Sequence, residues 1–400
     1  MRIVWILLLI LCLIATLWLA RDLVGYEPPI VEKYPPSPAV RVLLGRKLSS
    51  IAVEPEGVGK SGRMSLWLAG ADKPLRWEGR SLLIERKSGV FGFAGLKETA
   101  AALELIPDEG FFSWQGGRYP GSLRILANGE ETFDVVNELP LEPYVSRVVS
   151  SEMRSQWPLE TLKAQAVAAR SFALFHTQQR RNSPYDLLGN SRALSYRGAD
   201  PARRAIQAVL ETRGVVLQYH GRLLPAFFVS TCGGRTDRAA LSFSVEDTPC
   251  FQGVACPHCR LSPHYEWNAT FTPGELKEVL AAWNTGQEAV ASLEVAAREN
   301  ERVITLAARF ASGRRVELPA VDFRLAANRR AGKEVLRSLH FTLALGPEGL
   351  VVQGKGWGWH GSGLCQFGAK KMGDDLRTCK EILEFYFPGA ELGRAYGAEM

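Results

Sequence analysis

Neither sign of charge dominates this 400-residue sequence: 48 Lys and Arg against 42 Asp and Glu leave a formal +6. That balance permits weak attraction to an anionic polymer but does not mark a nucleic-acid binder, so no nucleic acid is expected as a partner. Low-complexity tracts and internal repeats are also lacking, which excludes solenoid and array architectures. With 46% hydrophobic residues, the chain has enough apolar material for one large or two modest cores, and disorder is not its default state.

Long apolar runs are scarce, and the one at the start carries information. Residues 3–20, IVWILLLILCLIATLWLA, have about the length needed to cross a bilayer as a helix. Neither Ala15 nor Ala20 sits in a persuasive cleavage site, so 1–22 reads as an uncleaved anchor in preference to a signal sequence. Arg2 is the one charge ahead of the run, and it weakly favours a cytoplasmic N-terminus. Residues 23–38 form a Pro-rich linker, a semi-stiff stalk between anchor and body. The expected location is therefore the cell membrane, single-pass, with the body on the extracytoplasmic side, or secreted if the N-terminus is cleaved.

The body reads as α+β, a mixed β-sheet with packed helices. Residues 39–140 form a β-rich N-terminal part, with short strands such as VRVLLG, SLWLAG, LLIER and LRILA between Gly and polar turns. Residues 141–390 form the second part. A helix is predicted from Pro143 through Met153, a longer one from Pro158 to about Arg181, and another from Pro201 to near Gly214. A hairpin turns at His220-Gly221. An irregular Cys-rich insertion covers 232–265. Thr272 to Glu275 is a capping-box signature for a helix through Trp283. Residues 290–353 read as strands, and 364–386 as one closing helix.

In the first helix Val145, Val148 and Val149 share one stripe, and Glu152 falls on that stripe where another valine would be expected. The last turn of a helix disfavours negative charge, and partial burial does the same. Both effects tune a carboxyl toward proton donation, making Glu152 the candidate general acid. The competing reading is a surface acid paired with Arg147 or Arg154.

Residues 148–174, VVSSEMRSQWPLETLKAQAVAARSFAL, together with FDVVNELPLEPYVSRVV before them, FFVSTCGGRT at 227–236 and GKGWGWHGSGLCQFGAKKM at 354–372, resemble the stage II sporulation protein D and amidase-enhancer family. The resemblance runs from about Val40 to the C-terminus. It implies a lytic transglycosylase that cuts MurNAc–GlcNAc bonds of peptidoglycan, preferring strands stripped of stem peptides, with Glu152 as the acid. Such an enzyme needs one group that protonates the glycosidic oxygen and then, as base, helps the sugar's own C6 hydroxyl close a 1,6-anhydro ring, so no second carboxylate and no cofactor is required. The Ser230, Thr231, Gly233 and Gly234 turn is expected to line the cleft, and His360 and Gln366 to bond sugar groups. Gln165 and Arg170 match family positions inside a packed helix, where support and substrate contact are equally open. Two features depart from the family: Trp359 stands where glycine is usual, and Cys232 and Cys365 stand where many relatives carry serine. The implied partners are peptidoglycan glycan strands and a cell-wall amidase. A non-catalytic amidase enhancer is the alternative function.

Cys256 and Cys259 form a CxxC knuckle beside Cys250. With Cys232 they make four thiolates suited to a structural zinc, with His258, His264 and Cys365 as alternative ligands. Disulfide stapling of the insertion is the other open reading.

Overall fold

The computed structural model describes residues 34–57, 61–94, 96–191, 194–284 and 286–397. The apolar run at 3–20 lies outside them, and no helix among the described residues is long and apolar enough to cross a membrane. The chain from Pro36 onward is one compact unit. It is mixed α+β, with seven α-helices among the described residues.

Strands between Ala39 and Pro140 build a six-stranded sheet and six strands of a seven-stranded one, whose edge is completed by Leu187–Leu188 in parallel with Ala39–Leu48. Period-two burial holds them in register: Ser50–Pro55 alternates exposed and buried at every position, as a strand with one core face must. Ala39–Leu48 pairs antiparallel with Phe133–Pro140. The second of these strands runs directly into helix α1, Leu141–Glu152. Pro140 and Pro143 fix the start of α1, because a proline costs nothing where a helix has no partner for its first amides.

Helix α2 follows at Leu159–Gln179. Its Ala164, Ala166, Ala168, Ala169 and Ala173 are all fully buried, so small side chains let α1 and helix α3, Arg203–Glu211, approach closely. The expected hairpin is present: Val215–Tyr219 pairs with Arg222–Leu223. His220 and Gly221 both take positive φ between them, as a type I′ turn demands.

Residues 266–355 enclose a core of their own, centred on Trp267, Phe271, Leu306, Phe310, Phe323 and Phe341. The capping box at Thr272 and Glu275 is formed, but its helix α4 is Pro273–Val279 and stops before Trp283. Residues 290–353 are not all strand, because Ala320–Ala331 is helix α5. Its buried positions are Ala320, Phe323, Arg324 and Ala327. These have helical spacing, but two alanines and an arginine conceal it from a hydrophobic pattern. The closing helix is two, α6 at Gln366–Asp374 and α7 at Cys379–Tyr386. Leu376 at positive φ breaks the run, and Thr378 with Glu381 caps the restart.

Candidate functional site

The end of α1 is where separated motifs meet. Val145, Val148 and Val149 are fully buried, and Glu152, on the same stripe in the last turn, is half-buried. Gln366, the first residue of α6 and 214 positions away, donates from Nε2 to Glu152 Oε2 at 3.0 Å. The carboxylate is also close to Tyr144: burial first, then the charge of Glu152, raises that phenol.

Aromatic rings stand beside this pair. Phe367, next to Gln366, donates its amide to Ser230 O at 3.1 Å, and its ring meets Trp157 at 5.0 Å and His264 at 5.7 Å. His264 in turn lies edge-on to Trp357 at 4.2 Å. Burial, then the charges of Arg337 and Arg154, lower the His264 pKa, so the ring is neutral near pH 7. His264 Nδ1 is buried without a hydrogen-bond partner among the described residues. Trp357 Nε1 is held by Glu334 Oε2 at 2.8 Å. Rings around a carboxyl group can stack on sugar faces while the acid reaches a bridging oxygen.

Behind the site four thiols converge. Cys232, Cys256, Cys259 and Cys365 are buried, with their sulfurs all within 4.8 Å of one another. The pair Cys232 and Cys259 is 3.6 Å apart. Tetrahedral thiolate zinc, with bonds of about 2.3 Å, needs sulfurs roughly 3.8 Å apart, so the four residues fit such an ion. Hydrogen bonding to Cys256 raises the Cys232 thiol and burial raises Cys365, whereas Cys256 and Cys259 are lowered as partners of Cys232. A nearby glycine is required by space: a Cβ on Gly368 would fall 2.0 Å from Tyr386 Oη and 2.9 Å from Cys256 Sγ.

The expected set contained Cys250, with Cys365 as an alternative ligand; the structure gathers Cys365, not Cys250, with the other three thiols. Cys250 lies on the separate turn Pro249–Phe251. The chain after it pairs back onto the turn at 235–236, which carries Cys256 inward. Cys365 arrives from the far end of the chain through parallel pairing of Val229 with Cys365. His258 packs against Phe385 and His264 against Trp357, and neither belongs to the cluster.

A family model described as Stage II sporulation protein matches residues 129–219. An uncharacterised protein of Brachyspira hyodysenteriae is 34% identical over 285 residues, covering 70% of this chain and 74% of that protein. Stage II sporulation protein D of Bacillus amyloliquefaciens is 28% identical over 276 residues, 65% of this chain and 76% of its own length. The amidase enhancer of Bacillus subtilis is 23% identical over 382 residues, 80% of this chain but 51% of that protein. The chain belongs to the stage II sporulation protein D and amidase-enhancer family.

The family positions differ in what they do here. Arg170, for which support and substrate contact were equally open, is fully buried. It grips Glu142 Oε2 at 2.7 Å and donates to the carbonyls of Val215 and Val209 at 3.1 and 3.3 Å. Its donors are occupied by the fold. Glu142, which the sequence reading missed, also accepts from Gly214 N at 3.2 Å and Tyr396 Oη at 2.5 Å. Its place in the first turn of α1 favours its negative charge.

His360 is likewise withdrawn from any cleft. It is 5% exposed, its Nδ1 accepts from Ser362 N at 3.1 Å, and burial lowers its pKa to about 4. Arg302 pins the loop by donating to the carbonyls of His360 and Trp359. Gln165 is fully buried, and both ends of its amide lack a partner among the described residues. Thr231 is also buried, its Oγ1 2.7 Å from Ser262 Oγ. Gly233 and Gly234 face a cavity distinct from the surroundings of Glu152. At Gly233, φ is +80° and a Cβ would meet the backbone of Lys355 and Gly356 within 2.9 Å. Gln366 is thus the expected site residue that the structure brings onto Glu152.

Proposed function

We propose that this protein is a peptidoglycan lytic transglycosylase acting on MurNAc–GlcNAc bonds of peptide-stripped strands, with Glu152 as the acid. The observation that carries the reading is the bond from Gln366 to the half-buried Glu152, which fixes one carboxyl oxygen; Phe367, next to Gln366 in the chain, packs its ring against Trp157 and His264. In the reaction Glu152 gives its proton to the glycosidic oxygen as the C1–O bond breaks. The C6 hydroxyl of the same sugar then attacks C1, and its proton passes to the Glu152 carboxylate, which restores the acid.

Cys232, Cys256, Cys259 and Cys365 would hold a structural zinc, which would tie the Ser230 to Gly234 turn to the start of α6. The catalytic step needs no metal. The N-terminal run would anchor the protein in the membrane with the body facing the wall.

The test uses the full chain and peptide-stripped strands, with 1,6-anhydro ends counted by mass. Glu152→Gln keeps the shape of the side chain and should abolish those ends while binding persists. Equal turnover by that variant refutes the assignment. Similarity to an amidase enhancer over 80% of the chain supports a second reading, a non-catalytic binder that stimulates a cell-wall amidase. Amidase stimulation in a mixed reaction without anhydro ends would select that reading.

A further inference from the structure

A cavity with a volume of 710 Å³ lies over the three-stranded sheet of Glu266–Phe271, Gly349–Lys355 and His340–Gly346. Its lining includes neither Glu152 nor Gln366. His264 packs edge-on to Phe367 and Trp357, whereas its neighbour Tyr265 lines the cavity.

The lining has more donors than acceptors. Arg235, Arg260, Arg298 and Lys355 face two carboxylates, Glu266 and Glu301. Among the described residues none of the four cations forms an ion pair, although Glu266 stands directly across the sheet from Lys355. Arg298 donates to the carbonyls of Glu301 and Phe341 at 3.1 and 2.6 Å, and Arg235 Nε is buried with no partner among the described residues. His340 is 5% exposed, and its Nε2 is committed to Asp237 Oδ1 at 2.6 Å while Nδ1 has no partner among the described residues. Neutral groups complete the floor: Asn268 pairs in register with Gln353, and Gln353 with Thr342, which makes a transverse row of two amides and a hydroxyl. Positive charge beside a row of amide and hydroxyl groups suits a sugar polymer that carries carboxylates.

We infer that this cavity is a second glycan subsite that binds the free lactyl carboxylates of a peptide-stripped strand. The inference rests on the proposed function, because removal of the stem peptide is what exposes one carboxylate on each muramic acid. Through this subsite the protein would distinguish a stripped strand from one still carrying peptide amides, at a place remote from the bond that is cut. Gly233 and Gly234 form one wall, which gives those residues a part in substrate binding away from Glu152.

The test measures binding of three probes to the full chain carrying Glu152→Gln, which prevents turnover: stripped strands, the same strands with lactyl carboxylates converted to amides, and a poly(glycerol phosphate). Arg260 and Lys355 are exposed, so Arg260→Gln with Lys355→Gln should leave folding intact. The expected result is tighter binding of free-carboxylate strands than of amidated ones. The paired substitution should weaken binding of the former at least about tenfold, the size of one charge-assisted hydrogen bond, and leave the latter unchanged. Equal binding of free and amidated strands, no loss in the paired variant, or competition by poly(glycerol phosphate) as strong as by stripped strands would overturn the inference. The two proposals fail separately. Anhydro ends from the unsubstituted chain without carboxylate preference would remove this subsite alone, and carboxylate preference without anhydro ends would remove the cleavage alone.

Discussion

Replacing Arg170 with methionine separates a structural role from a substrate contact. The side chains of Arg170 and Glu142 are both completely buried. Arg170→Met would leave the Glu142 carboxylate with Gly214 N and Tyr396 Oη as its donors, and would strip the donor from the carbonyls of Val209 and Val215. Removing one partner of a buried pair costs about 3–5 kcal/mol, because the surviving charge keeps its desolvation penalty. For a chain of this size that corresponds to a fall in Tm of roughly 4–6 °C. Thermal and urea unfolding of the single variant, of Glu142→Leu and of the double variant form a cycle. The double variant should lose less stability than the sum of the two single changes, since it buries no lone charge. Glycan binding by variant protein held well below its Tm should match that of the parent. Unchanged Tm with lost binding would refute the structural role and return Arg170 to the cleft.

The thiol cluster predicts that Cys365→Ser lowers both bound zinc, measured by elemental analysis, and Tm, while Cys250→Ser leaves the metal content unchanged. Zinc loss on the second substitution alone would contradict the cluster. Part of the pH dependence of stability follows from His360, whose folded pKa of about 4 lies below its ordinary 6.5; His176, lowered to about 4 chiefly by burial, adds a contribution of the same sign. Between those values the unfolded chain takes up a proton that the folded one refuses, so stability is full above about pH 6.5 and declines as pH falls toward 4. The loss from His360 is up to about 3 kcal/mol. Asp237 feels burial, which opposes its charge, but His340 and Arg302 outweigh it and hold the carboxyl low. Its contribution is lost only on further acidification, below its ordinary 3.8. His360→Phe should make the decline between pH 6.5 and 4 in urea titrations shallower, leaving the part due to His176, and an unchanged slope would remove His360 as a source.

Much of the local architecture was legible in residue order. Prolines and capping residues marked the helix starts, alternation marked the strands, and the valine stripe singled out Glu152. What failed did so for identifiable reasons. Helix α5 hides behind buried alanines and a buried arginine, and Leu376 splits the closing helix through a backbone conformation that leucine seldom adopts. His360 sits on a glycine-rich loop, a feature that fits an exposed binding loop as well as one drawn inward by Arg302. Trp157, Trp357 and Phe367 lay inside the recognised motifs, and aromatic residues beside a candidate acid were the signal that could have marked them.

Spacing along the chain determined the type of most elements and the chemistry each motif could offer, because period, capping and turn formation act over a few residues. Partners were decided in three dimensions. Gln366 reaches Glu152 across 214 positions, Arg170 is claimed by an acid 28 residues earlier, and Cys365 displaces Cys250 in the thiol cluster. Contacts of that range depend on how helices pack and strands pair, and a charge or thiol takes the partner that packing presents, whatever lies nearest to it in sequence.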